Sequence, residues 1–131
     1  IAQLKKLNFI LNENKKRYQV LFDILKKKFP IRYKIKKSKS SMDTFMFKVE
    51  NKKLRLKIVK FLRSSGAGIK NVPDAIRWHF ASYWSHAISK GQIKSINSSK
   101  KLIEKYIAVP ISLKLSEQFY KKLGNKIISI I

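Results

Sequence analysis

From Thr44 onwards the spacing of apolar residues switches between a period of two and a period near 3.6, and this constrains the fold more than any other feature of the chain. Phe45, Phe47 and Val49 alternate with Met46, Lys48 and Glu50, which predicts a half-buried strand. Leu54, Ile58, Phe61 and Leu62 then recur at helical spacing, with Gly66 placed to stop that helix. Ile69 and Val72 alternate with Lys70 and Asn71 ahead of Pro73, the pattern of a second strand. Residues 102–109, closed by Pro110, read as a third strand. Leu115, Phe119 and Leu123, four apart, give a helix ending at Gly124, and residues 126–131 are β-branched and apolar enough for a central strand. The expected class is α+β: a ferredoxin-like split β-α-β sandwich over residues 44–131.

Two segments fall outside that pattern. Leu4, Leu7, Leu11, Tyr18, Leu21 and Leu25 are spaced alternately by three and four if Asn14 fills the one polar slot, so the first thirty residues read as helix up to Pro30. Such a stripe serves a helix packed on its own domain, a coiled coil with a partner or a membrane-surface helix. The basic run ending in Ser40 and Ser41 reads as a linker, making 1–43 an N-terminal helical extension. Between the second and third strands, residues 74–99 form an insertion. Ile76, Phe80, Trp84 and Ala87 mark a short aromatic helix over 74–90 that Asp74 can cap and Gly91 can end, followed by a polar loop.

Charge bears on function. The 131 residues carry 31 Lys and Arg against seven Asp and Glu, a formal net charge of +24. A compact domain with that charge repels itself, so a polyanion is the expected partner, nucleic acid first among them. Lysine predominates over arginine, which favours phosphate contacts over base reading. There is no cysteine, which excludes disulfides, thiolate metal sites and Cys nucleophiles. No apolar run approaches the ~20 residues of a membrane helix. The chain opens on Ile1, as a processed or partial polypeptide would.

The ordered pieces Glu104-Lys105-Tyr106-Ile107-Ala108-Val109-Pro110, Ser116-Glu117-Gln118-Phe119 and Lys126-Ile127-Ile128-Ser129-Ile130 resemble the S-ten family of small-subunit ribosomal proteins. Upstream, Ile58-Val59-Lys60, Ser65-Gly66-Ala67 and Val72-Pro73 resemble that family's first helix, its turn and its proline-bearing second strand. Residues 1–43 have no counterpart there and the insertion is longer than the family's loop, which is similar to a divergent organellar member. The resemblance implies a structural, non-catalytic constituent of the mitochondrial small subunit, located in the matrix. Its partners would be small-subunit rRNA and head proteins of the S-three, S-nine and S-fourteen types. A DNA-binding or other nucleic-acid-binding regulator is the alternative.

The expected phosphate contacts are Lys34, Lys36, Lys37 and Lys39 in the linker, Lys70 on the second strand, and Arg77, Lys90 and Lys94 in the insertion. Lys100, Lys101, Lys114, Lys121, Lys122 and Lys126 complete the set. Trp78 and His79 are candidates for stacking on unpaired bases, whereas Phe80 and Trp84 lie on the apolar stripe and suit anchoring. No paired acid and base stands out, His79 and His86 lack further ligands nearby, and 64–68 lacks the Gly-Lys-Ser/Thr ending of a P-loop. Neither cofactor nor metal is expected.

Overall fold

The computed structural model describes residues 2–32, 40–70 and 72–131. The chain begins with a short helix α1 (Ala2–Lys5) and a long helix α2 (Leu7–Leu25). Strand β1 (Thr44–Lys48) and helix α3 (Lys52–Ser64) follow. The excursion holds α4 (Ile76–His79), a 3-10 turn (Ala81–Tyr83), α5 (Lys90–Ser95) and α6 (Asn97–Ile103). Strand β2 (Tyr106–Pro110) and helix α7 (Glu117–Ile128) close the chain.

The class is α+β, as the periodicity predicts. The sheet is smaller than a ferredoxin-like sandwich requires: among the described residues it has two strands, β1 antiparallel to β2, in register from Thr44↔Pro110 to Lys48↔Tyr106. Each edge carries a short flanking segment. Arg32 N donates to Met46 O and Lys48 N to Pro30 O on the β1 side, while Lys70 N donates to Ala108 O and Ala108 N to Val72 O on the β2 side. The expected second strand at 69–72 is thus reduced to a few hydrogen bonds before the cis Val72–Pro73 peptide.

The expected fourth strand at 126–131 is replaced by the end of α7, which runs to Ile128, and the turn that follows it. Its β-branched residues favour a strand locally, but Tyr120, Leu123 and Ile127 share one helical face and are all buried. Packing of that face overrides propensity. Gly124 does not stop the helix either. A Cβ there would lie 3.0 Å from Ile24 Cδ1, so this glycine lets α7 approach α2 closely. Ser116 accepts from Phe119 N at the start of α7, and Asn51 accepts from Leu54 N at the start of α3. Gly66, at φ +81°, ends α3 as expected, and Gly68 N returns to Leu62 O. The excursion also differs from its expected layout. The aromatic helix stops at His79, and the expected loop at 91–99 is helical, opened by a capping box of Ser89 and Gln92.

The two faces of the sheet bury different things. Phe45, Phe47, Ile107 and Val109 point into the main core with Leu21 and Leu25 of α2, Ile58, Val59 and Leu62 of α3, and Tyr120, Leu123 and Ile127 of α7. Phe45 stacks edge-on against Tyr18 at 4.9 Å between ring centroids. Helix α2 is therefore part of the same core as residues 44–131. Polar groups at its border are satisfied: Arg17 donates to Leu115 O and to Glu13, and Asn14 Nδ2 donates to Ser41 O. On the other face, Ala108, Met46 and Tyr106 meet Val72, Ile76, Phe80 and Ile103 in a second, smaller cluster.

Candidate substrate cleft

The second cluster leaves a cleft. Val72, Ala75, Ile76, His79, Phe80 and Ile103 line a cavity of about 400 Å³ between the turn after Pro73, helix α4 and the end of α6. Its lining residues Val72, Ile76, Phe80 and Ile103 pack in the same cluster as Ala108 at the middle of β2, which ties the cleft to the outer face of the sheet. The walls are apolar, and His79 is the titratable group among the lining residues.

An aromatic rim lies next to it. Trp78 is 77% exposed, an unusual condition for so large an apolar side chain, and its carbonyl accepts from Trp84 Nε1 at 3.2 Å. The Tyr83 ring has the Lys100 ammonium 4.3 Å from its centroid, and its hydroxyl donates to Glu104. At the base of α4, Asp74 pairs with Arg63 of α3, tying the excursion to the main body. Beside the sheet edge, Lys70 pairs with Asp43. The hydrogen bond from the Lys70 ammonium holds the Asp43 carboxyl below its usual range, with Ser41 adding to the effect.

Of the residues singled out in the sequence, Arg77, Trp78 and His79 come together on α4, and Lys100 and Lys101 lie on α6. Phe80 anchors the second cluster, as its place on the apolar stripe suggested, and Trp84 is partly exposed. Lys90 and Lys94 sit on α5, Lys114 precedes α7, and Lys121, Lys122 and Lys126 are exposed along α7. Lys70 is engaged with Asp43, and Lys34, Lys36, Lys37 and Lys39 lie outside the described residues. Sequence reasoning missed Val72, Ala75 and Ile103 as cleft walls, because they are brought together across some thirty residues by the sheet. The run of Trp and His was the signal available.

No family model matches the chain, and no curated protein matches it in sequence. Its fold, however, matches solved structures. Over 98% of its length it superposes on the putative sugar aminotransferase Spr1654 from Streptococcus pneumoniae, with a TM-score of 0.66 and 16% identity, in both the apo-form and the PMP-form. It also superposes on Helicobacter pylori PseC, an aminotransferase involved in the biosynthesis of pseudoaminic acid, with a TM-score of 0.69 and 18% identity over the same 98%. The fold is that of a portion of these aminotransferases. The chain spans about a third of their length, 34% in each case.

This overturns the ribosomal expectation. The S-ten resemblance rested on short pieces read as a four-stranded β-α-β series, and among the described residues the sheet has two strands. The rRNA and the S-three, S-nine and S-fourteen type partners fall with it, and nothing in the fold supports the DNA-binding alternative. The expectation of a non-catalytic protein is likewise replaced by a fold shared with enzymes. Glu104-Lys105-Tyr106 runs from the end of α6 into the start of β2, and residues 126–128 are helical, so the order of elements around these short motifs was misread.

The PMP-form raises the question of a pyridoxal cofactor, which requires a lysine for the Schiff base and a partner at its ring nitrogen. The residues in hand do not fit such a group on their own. Among the described residues the buried polar side chains are Asn14 and Arg17, both held in structural hydrogen bonds, and no lysine is buried. The cleft offers one imidazole and no carboxylate among its lining groups.

Proposed function

We propose that this chain is the smaller part of an aminotransferase that acts on a sugar, and that its cleft faces the sugar while the cofactor is held elsewhere in the enzyme. The observation that carries the reading is the superposition of nearly the whole chain on one third of a putative sugar aminotransferase and of an aminotransferase involved in the biosynthesis of pseudoaminic acid. The cleft agrees with it. A sugar ring presents apolar C–H faces and a rim of hydroxyls. An apolar-walled pocket with His79 in its lining and the exposed Trp78 next to His79 on α4 suits such a ligand, because apolar walls remove water and a few polar groups fix orientation. In this reading His79 hydrogen-bonds a sugar hydroxyl, and Trp78 covers a ring face.

The test is to purify the protein from its own cells through a tag on this chain, and to follow amino transfer from an amino acid to a keto-sugar. Transfer is expected, with Trp78→Ala raising KM for the sugar and leaving KM for the amino acid unchanged. A purified protein that neither holds a pyridoxal cofactor nor transfers the amino group would overturn the proposal.

A further inference from the structure

The heptad-like stripe of the first two helices is covered along only part of its length. Leu21 and Leu25 are fully buried, and Asn14 is 5% exposed beneath the Ser41 carbonyl. Towards the N-terminus the same stripe emerges: Leu11 is half-buried, Leu7 is 44% exposed and Leu4 is 71% exposed. The main core engages α2 from Tyr18 onwards. An apolar seam that continues in register past the edge of its own core is a surface built to be covered.

Charge decides what covers it. The charged side chains of the first sixteen residues are Lys5, Lys6, Lys15, Lys16 and Glu13, and the Glu13 carboxylate is already held by Lys16 and Arg17. A second copy laid along the seam would set these lysines against their equals, on top of +24 for each chain. A surface with an apolar centre and carboxylates at its rim would gain on both counts. The matched aminotransferases contain about two thirds of a chain beyond the part superposed here, as the 34% coverage requires. We propose that the Leu4–Leu7–Leu11 seam docks against the cofactor-bearing remainder of the aminotransferase-like fold, on a surface that is apolar at its centre and acidic at its rim. The identity of that partner rests on the functional reading above; the apolar and acidic character of its surface rests on this chain alone.

A photo-cross-linking residue placed at Leu7, with a control at the exposed Lys121 on α7, tests this in the protein purified from its own cells. The expected adduct joins position 7 to a segment rich in Asp and Glu on an aminotransferase polypeptide. Its yield should exceed that at position 121 and fall several-fold as salt is raised. An adduct joining two copies of residues 1–16, one on a surface without carboxylates, or a yield no greater than at position 121 would overturn the docking surface. Amino transfer measured on the same preparation separates the two readings. Transfer without the position 7 adduct sinks the seam alone. A salt-sensitive adduct on an acidic surface without transfer sinks the aminotransferase reading and the partner's identity with it.

Discussion

The two faces of the small sheet support regions of very different density. On one side, Phe45, Phe47, Leu21, Leu25, Ile58 and Tyr120 are entirely removed from water, between three helices of at least twelve residues each. On the other, the cluster around Ala108 is covered by helices of four to seven residues, and Trp78 stands in solvent beside it. The first arrangement maximises buried apolar area. The second gives some of it up to leave a cleft with an aromatic rim. Regions with few buried contacts open locally at lower cost, and binding sites are drawn from them. The excursion is thus the adaptable part of the molecule, and the α2–sheet–α7 body is its platform.

The largest expected effect tests that division. Phe47→Ala removes a fully buried ring that also packs on Phe29 at 5.1 Å, and should cost about 3–5 kcal/mol by chemical denaturation. Ile76→Ala, in the second cluster, should cost about 2 kcal/mol, the low end for such truncations. Native-state hydrogen exchange should show the Ile76 variant losing protection in the excursion while β1, α2 and α7 keep theirs. Equal loss throughout would mean that the two regions unfold as one.

How much of this the sequence disclosed follows the same line. The strand at Thr44 and the helices beginning at Lys52 and Glu117 were legible because each carries a local signal of alternation or a cap. The strand expected over 102–109 was legible only in its second half, since Leu102 and Ile103 end helix α6 and β2 starts at Tyr106. The terminal strand was misread because Ile127, Ile128, Ile130 and Ile131 have β propensity, while the setting of Ile127, Ile128 and Ile130 is a core shared with α2, about a hundred residues away in sequence. Gly124 was misread for the same reason: its role is defined by Ile24 and not by its neighbours in the chain. The cleft was half legible. Its aromatic rim lies in one short run, but its walls come from Val72, Ile76 and Ile103 and meet only in three dimensions. The charge was plain and its meaning was not, since an excess of lysine does not say which anionic surface it faces.

Two smaller effects sharpen the account of the platform. The Tyr120 hydroxyl accepts from Ser112 N at 2.8 Å and donates to Pro110 O at 3.1 Å, pinning the end of β2 to α7. Tyr120→Phe should cost about 1–2 kcal/mol, since two backbone groups lose their partner. It should also loosen the 110–115 loop without touching the cleft, which hydrogen exchange over 110–115 and 72–80 would check. Gly124→Ala sets the helix-propensity gain of ~1 kcal/mol against crowding of about 1–3 kcal/mol with Ile24. The nearest atoms include Ile24 Cγ2 and Cβ at 3.2 and 3.4 Å, which cannot swing aside as Cδ1 can. A net loss of about 1 kcal/mol is expected, and an Ile24→Ala background should convert it to a gain.

The smallest effect is electrostatic and concerns one end of the sheet, where Glu50 after β1 pairs with Lys105 before β2 and with Lys48. Hydrogen bonds from Lys105 first, and from Lys48, draw its carboxyl from the usual 4.5 to about 2. Because the folded value lies below the unfolded one, the stabilisation is fully present above the unfolded carboxylate range and is lost as pH falls through the folded value. Urea denaturation of the protein and of Glu50→Gln should therefore differ at neutral pH and converge towards about pH 2. Glu50 is one of seven acids in a chain of net charge +24, so its removal also raises the self-repulsion to +25. Added salt screens the pair and the repulsion together, so the difference between the two proteins should shrink as ionic strength rises. A difference that survived high salt would mean that Glu50 acts through packing at the β1–β2 junction and not through its charge.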